Sequence, residues 1–191
     1  IIVGTGAGLS YATLGATHHS MEDIAILRTL PNLQILCPGD PIEVREAIIK
    51  AYESRLPTYI RLGKKGEPNI HKSKPDFKIG ESIFLETGDQ ISIISVGNVL
   101  SLAKECREEL NKRDIQSDLV SMHTIKPIDE NLLIKLFNSN KLIVVIEEHS
   151  LIGGAGASIL EWANKKNYDT RKLLRFGGPD QFLTGCGNQS E

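Results

Sequence analysis

Short apolar segments alternate with helix-forming segments along the first third of this 191-residue chain. Residues 33–36 and 58–62 have the apolar and β-branched composition of strands, and residues 1–3 have the character of a buried strand. Between 33–36 and 58–62, Asp40, Pro41 and Glu43 predict a helix start, since aspartate caps a first turn that proline and glutamate favour. Strands and helices that alternate in this way form a parallel sheet covered by helices.

The rest of the chain repeats this alternation after a change in composition. Residues 63–78 are rich in lysine and proline and predict an extended, solvated linker. The apolar stripe over residues 100–111 predicts a helix, and Asp129 is predicted to cap a second one. The continuous apolar run 142–146 predicts a strand buried on both faces. The predicted strands of this part are residues 83–85, 91–96, 118–121, 142–146 and 173–176.

Composition excludes several classes of function. A formal net charge of −2 provides no basic field for nucleic acid or for an acidic membrane surface. No apolar run approaches the roughly 20 residues of a membrane-spanning helix. The start, Ile1-Ile2, has neither an initiator methionine nor the layout of a signal peptide, and resembles a strand cut from a longer chain. We therefore expect a cytoplasmic protein that binds neither nucleic acid nor membrane.

The three cysteines, Cys37, Cys106 and Cys186, are odd in number and widely spaced. They form no metal-binding pattern. The number and spacing of the cysteines predict free thiols in a reducing compartment.

Two adjacent histidines, His18 and His19, precede a helix-start signal. Ser20 and Asp23 have the spacing of a capping box, so a helix is predicted to begin there. A loop that carries imidazoles to a helix N-terminus can meet an anionic or polar ligand. Adjacent side chains do not face the same way, so we expect one histidine at a site and the other packed or solvated. The alternative is a loop with two ordinary histidines.

Two ordered sets of motifs resemble the transketolase family. No single motif is specific to this family, but the order of the motifs is. Together the two sets span nearly the whole chain. The first set is Gly15-x-Thr17-His18, Glu22-Asp23-Ile24-Ala25-x-x-Arg28, Pro31-Asn32-Leu33 and Pro38-x-Asp40, and the second is Thr124-Ile125-Lys126-Pro127-Ile128-Asp129, Glu147-Glu148-His149 and Gly153-Gly154-x-Gly156.

The resemblance implies an α/β fold of two three-layer units with mostly parallel sheets. Residues 1–62 would be the end of a truncated pyrimidine-binding domain, 63–78 a linker, and 79–191 a transketolase C-terminal domain. The family transfers a two-carbon ketol unit between sugars or sugar phosphates with thiamine diphosphate and Mg²⁺. The glutamate that activates the cofactor and the diphosphate-binding domain would lie outside this chain. We therefore expect no cofactor on this chain alone, and an N-terminal diphosphate-binding domain or subunit as partner in a homodimer or heterotetramer.

The resemblance also assigns roles to individual residues. His18 matches the histidine of the family's substrate channel, where it would act on a proton as an alkoxide becomes a carbonyl. His19 would contact substrate beside it. Lys64 falls where the family places an arginine that binds the substrate phosphate, and Arg61 is close enough in sequence to share that role. The alternative for Lys64 is a solvated linker charge.

Two departures from the family pattern favour a branch that is often encoded as two subunits. Leu14 occupies the position of an aspartate that contacts the donor sugar, and Gly6 the position of another histidine. The remaining alternatives are the β-subunit of a 2-oxo-acid dehydrogenase, a deoxyxylulose-phosphate synthase and a non-enzymatic docking module. A dehydrogenase subunit would need no phosphate-binding lysine, and residues 9–14 lack the acidic run of the synthase.

The segment Glu147-Glu148-His149 ends a predicted strand and precedes a glycine-rich turn. Ligands often bind at the carboxyl ends of strands in open α/β sheets. The sequence therefore leaves open a ligand at this turn or, as the family resemblance implies, a structural or regulatory role.

Overall fold

A computed structural model describes residues 1–139, 142–185 and 187–189. The helices of this part are α1 (Asp23–Leu27), α2 (Pro41–Ser54), α3 (Leu100–Asn111), α4 (Glu130–Asn138) and α5 (Ala155–Lys165). Its strands are β1 (Ile2–Thr5), β2 (Gln34–Leu36), β3 (Thr58–Leu62), β4 (Ile83–Glu86), β5 (Ile91–Val96), β6 (Ser117–Ser121), β7 (Thr124–Lys126), β8 (Leu142–Ser150) and β9 (Leu173–Gly178). The two α/β units with mostly parallel sheets are as predicted.

The first sheet has the strand order β1-β3-β2-β7. β1 and β2 run parallel to β3, and β7 joins β2 antiparallel from much later in the chain. Asp40 caps α2 as predicted, because its Oδ1 accepts the Glu43 N–H at 2.8 Å. Ala47 and Ala51 of this helix pack on Leu36 and Ile60 of the sheet.

The second sheet has the order β4-β6-β5-β8-β9, with β4 as the antiparallel edge. Successive residues of a strand point to opposite faces. Ile94 and Val145 therefore pack with α4 and α5, while Ile93 packs with Leu100 and Ala103 of α3 on the other face. Helices on both faces make this unit three-layered.

One hydrophobic core joins the two units. Ile35 and Tyr59 of the first sheet belong to the same buried cluster as Met122 and Val145 of the second unit. Ile24 of α1 is fully buried in that cluster. The segment after His18 therefore lies between the two sheets.

Three local predictions were wrong. The first strand forms but is exposed, with Ile2 at 66% of its full accessibility, because β1 is the edge of its sheet. β8 extends to Ser150 and alternates between buried and half-buried residues, since α3 covers β5 and β6 more fully than β8. The linker is not fully solvated, because Phe77 is buried with α2 and stacks on His123 at a ring distance of 3.8 Å.

Polar contacts also fix the linker. Asp40 Oδ2 accepts the backbone N–H groups of Ile70 and His71 at 2.9 Å each. The fully buried Glu43 accepts a hydrogen bond from Ser121 Oγ at 3.0 Å and lies 2.8 Å from His71 Nε2. Glu43 therefore joins α2, the linker and the second sheet.

Candidate active site

His18 ends a single turn of 3₁₀ helix, Ala16–His18, that follows Gly15. Gly15 has a positive φ of 74°, which glycine adopts without strain. The His18 side chain is exposed, and its Nδ1 lies 3.0 Å from Thr17 Oγ1. An exposed imidazole can donate a proton to a bound molecule or accept one from it.

The loop that carries His18 is closed at its base by a backbone bridge. Gly8 N donates to Ser20 O at 2.9 Å, and Ser20 N donates to Gly8 O at 3.0 Å. A side chain at Gly8 would overlap with Glu148, and its φ of +59° also favours glycine. The bridge therefore sets the position of residues 9–19 relative to the first sheet.

The predicted capping box at Ser20 was wrong. The N-cap of α1 is Glu22, without a side-chain hydrogen bond. The bridge to Gly8 instead keeps the backbone of Ser20 extended, and the Asp23 side chain binds two residues of β3. The Asp23 carboxylate accepts hydrogen bonds from Tyr59 Oη at 2.8 Å and from Arg61 Nε at 2.8 Å.

Arg61 is buried, with 2% of its surface accessible. Besides Asp23, its guanidinium donates to Ser20 O at 2.8 Å and to Glu148 O at 3.0 Å. Burial alone would lower the pKa of Arg61, but the Asp23 charge outweighs it and keeps the group a cation. A direct substrate contact by Arg61 stays a prediction, and these contacts favour a supporting role.

Lys64 is exposed two residues after the end of β3, with Nζ 5.3 Å from the centroid of the Tyr11 ring. This is the distance of a cation–π contact. The lysine also lines a cavity of about 280 Å³ with Lys65, Gly66 and Asn98. An exposed ammonium beside a cavity can bind an anionic group as a point charge.

Tyr11 connects the Lys64 and His18 regions, and sequence reasoning missed it. A side chain at Gly6 would overlap with the Tyr11 ring, so the missing side chain of Gly6 makes room for it. Tyr11 also precedes the turn Ala12–Leu14 that leads into the His18 loop. The feature of the sequence that could have indicated Tyr11 was an aromatic residue within a glycine-rich loop.

His19 lines a different space from Lys64. Together with Met21, Glu22 and Ser150 it borders a cavity of about 550 Å³, which the segment 178–183 closes on the other side. His19 Nε2 is buried and has no hydrogen-bond partner in the part of the chain that the structure describes. The two adjacent histidines therefore face different surroundings.

The carboxylate of Glu147 lies at the glycine-rich turn for which the sequence left a ligand open. It accepts the N–H groups of Ala155 and Gly156 at 2.7 and 2.9 Å, at the N-terminus of α5. Burial raises the pKa of Glu147, against the effect of these two donors. The protein's own carboxylate thus takes the anion position of this helix end.

The two sets of motifs meet across the interface between the units. Arg28 Nη1 donates to Gly153 O at 2.8 Å, and Arg28 Nη2 lies 2.6 Å from Glu161 Oε2. Asn98 Nδ2 donates to Glu148 Oε2 at 2.8 Å. Arg28 of the first set therefore contacts Gly153 of the second set across the interface, while Asn98 and Glu148 join two parts of the second unit.

Two family models match the chain, one over each unit. The family model of the transketolase C-terminal domain matches residues 80–186, and that of the transketolase pyrimidine-binding domain matches residues 1–68. The chain belongs to the transketolase family.

Relatives of this transketolase-family chain include separately encoded subunits. It is 35% identical to a putative transketolase C-terminal section of Methanocaldococcus jannaschii, over 95% of this chain and 57% of that protein. It is 32% identical to one subunit of the apulose-4-phosphate transketolase of Phocaeicola vulgatus, over 100% of this chain and 60% of that one. The chain thus spans somewhat more than half the length of these relatives.

A solved structure described as a split gene transketolase, inactive β4 tetramer, superposes with a TM-score of 0.84 at 33% identity. The match covers 95% of this chain and 57% of that one. The transketolase-type fold of both units is therefore confirmed.

The described residues contain no group of three or more histidine, cysteine, aspartate or glutamate side chains arranged to hold a metal ion. Cys37 and Cys106 are free thiols, and burial raises the pKa of Cys37 to about 12. Cys186 lies outside the described residues. Over that same part of the chain, no helix is long and apolar enough to cross a membrane.

Proposed function

We propose that this chain is the substrate-side part of a thiamine-diphosphate-dependent transketolase, which transfers a two-carbon ketol unit between sugars or sugar phosphates. The observation that carries the proposal is the exposed His18 imidazole, on a loop whose base is held by both units. Membership in the family supports the reaction class. The free thiols of Cys37 and Cys106 support a reducing, cytoplasmic location.

Each site residue has a proposed role in this reaction. His18 accepts and returns a proton at a sugar hydroxyl as that oxygen becomes a carbonyl. His19 contacts the substrate or its neighbouring water from the cavity that it lines. Lys64 binds the phosphate of a phosphorylated substrate. Arg61 supports these groups by holding Ser20 and Asp23.

The cofactor belongs, in this proposal, to a separate part of the enzyme. A Mg²⁺ ion bound with a diphosphate usually takes one or two carboxylate ligands from the protein, and the family resemblance assigns that site to a domain outside this chain. We therefore propose that a diphosphate-binding domain or subunit carries thiamine diphosphate and Mg²⁺. That the chain alone binds neither stays a prediction.

The assembly is proposed to be a homodimer or heterotetramer with that partner. The similarity to a split gene transketolase that forms an inactive β4 tetramer supports self-association of the chain without its partner. The exposed apolar residues of β1, such as Ile2 and Val3, provide surface for such contacts.

The test is to combine the chain with the diphosphate-binding partner, thiamine diphosphate and Mg²⁺. Two-carbon transfer from a ketose phosphate to an aldose phosphate is expected for the mixture and not for either component. Calorimetric titration of the chain alone with the cofactor and Mg²⁺ should show no micromolar binding. Sedimentation should show an oligomer rather than a monomer.

Other outcomes would support the alternatives. Decarboxylation of a 2-oxo acid by the mixture, without ketol transfer, would indicate a dehydrogenase subunit. Condensation of pyruvate with a triose phosphate would indicate a deoxyxylulose-phosphate synthase. A tight complex without any thiamine-dependent reaction would indicate a docking module.

A further inference from the structure

His149 of β8 lies against the first residues of α1 and is fully buried. Its Nδ1 lies 2.8 Å from Ser150 O, and its Nε2 lies 3.3 Å from the Ala25 N–H. A carbonyl oxygen accepts a proton, so Nδ1 carries the hydrogen and Nε2 offers its lone pair to Ala25. This arrangement fits the neutral imidazole with its hydrogen on Nδ1.

The contacts around His149 hold the segment that directly follows His18 and His19. Ser150 N donates to Met21 O at 2.8 Å. Arg61 joins Ser20 O to Glu148 O through its guanidinium. The backbone from Ser20 to Ala25 is therefore tied to three successive residues of β8, which belong to the other unit.

We propose that His149 is a positioning residue that fixes the His18 loop from the second unit, by accepting the Ala25 N–H in its neutral form. The proposal rests on the transketolase function proposed above. It gives the C-terminal unit a direct part in holding the residues that are proposed to contact the substrate. His149 does not itself touch the substrate.

Protonation of His149 at Nε2 would make its contact with the Ala25 N–H repulsive. A second proton on Nε2 would place one donor against another, at the N-terminal end of a helix where a positive charge is unfavourable. Burial lowers the pKa of His149 and favours the neutral form. The charged groups that face it are Asp23 of α1, whose Oδ1 is 4.0 Å from Nε2, and Arg61 of β3, and Glu147 is its neighbour on β8.

Two variants of His149 separate this role from simple packing. His149→Leu keeps an apolar side chain but removes the acceptor, whereas His149→Gln keeps an acceptor that does not titrate. The control is His123→Leu, because His123 is also fully buried in the second unit but stacks on Phe77 of the linker. All three are compared with the wild type in the complete enzyme, well below their melting temperatures.

We expect His149→Leu to lower kcat by on the order of 10- to 100-fold, since small displacements of a reacting group cost this much. His149→Gln should retain most of the activity and move the acid limb of the kcat–pH profile to lower pH. His123→Leu should lower the melting temperature with little change in kcat. A His149→Leu enzyme that resembles His123→Leu in both measurements would overturn the proposal.

A second readout does not depend on activity. In nuclear magnetic resonance spectra of the isolated chain, His149→Leu should shift the Ala25 amide and the ring signals of His18, and His123→Leu should leave them in place. If the wild-type mixture shows no ketol transfer, the proposed function fails but this measurement still decides whether His149 positions the loop. Unchanged His18 and Ala25 signals in His149→Leu would reject it.

Discussion

Arg61 Nε lies 2.8 Å from Asp23 Oδ2 and 3.1 Å from Asp23 Oδ1, and the two side chains are 1% and 14% accessible. This ion pair connects β3 to the start of α1. Because Arg61 also holds Ser20 O and Glu148 O, one guanidinium links the His18 loop to both units. The pair is therefore a structural support for the site.

Replacing Arg61 should destabilise the fold strongly. Arg61→Met leaves the Asp23 carboxylate without its charged partner, and breaking a buried pair from one side typically costs about 3–5 kcal/mol. Urea denaturation of the isolated chain measures the free energy of unfolding. Arg171→Met is the matched control, since the Arg171–Asp169 pair is exposed and should contribute little. Equal effects of the two variants would contradict the supporting role.

Locally encoded features of this fold were predictable from sequence. The helix Leu100–Asn111, the strand Thr58–Leu62 and the Asp40 cap follow from side-chain periodicity and capping chemistry within a few residues. The strand Ile2–Thr5 was predicted, but its exposure was not, because exposure depends on the position of β1 at a sheet edge.

The supporting contacts of the site were not predictable in the same way. The pair Arg61–Asp23 joins residues 38 positions apart, and Ala25–His149 joins residues 124 apart. Sequence reasoning placed His18 in a loop directly before a predicted helix. It treated residues 63–78 as a solvated connector and so missed the contact of His71 with Glu43.

Stability should depend on pH through His71. Burial alone would lower the pKa of His71, but its hydrogen bond to Glu43 and the negative charge there raise it above its ordinary value of 6.5. The stabilisation is then complete below about pH 6.5 and is lost as the pH rises through the raised pKa of the folded state.

The measurement is the difference in unfolding free energy between the wild type and His71→Gln from pH 5.5 to 8.5 (a range of roughly one to two units around the ordinary histidine pKa). This difference should shrink as the pH rises. Comparing the two proteins cancels the opposite effect of His149, whose pKa is lowered by burial. A difference that stays constant with pH would show that the Glu43 contact does not depend on the His71 charge.

His18→Ala in the complete enzyme should lower kcat more than it raises KM. The proposed proton transfer takes place in the transition state, and loss of one acid–base group costs on the order of 10²-fold. Steady-state kinetics with a ketose phosphate donor tests this. His18→Gln keeps hydrogen bonding without proton transfer and should remain nearly as slow. An alanine variant with unchanged kcat and a raised KM would make His18 a binding residue only.

Lys64→Ala should act on one class of substrate only. A phosphate anchor binds ground and transition states alike, so its loss raises KM for a phosphorylated sugar and leaves kcat nearly unchanged. KM for the unphosphorylated sugar should stay the same. Lys72→Ala is the control, because Lys72 is another exposed lysine of the same linker that lines a different cavity.

The contact of Lys64 with Tyr11 makes the experiment more specific. Lys64→Arg keeps the charge and can still lie over the ring, so it should preserve the low KM. Tyr11→Leu removes the aromatic face, should release the ammonium from its position and should raise KM for the phosphorylated sugar by less than Lys64→Ala does. If Lys64→Ala raised KM equally for both sugars, the lysine would be a linker charge, and the sugar-phosphate proposal would lose its main support within this chain.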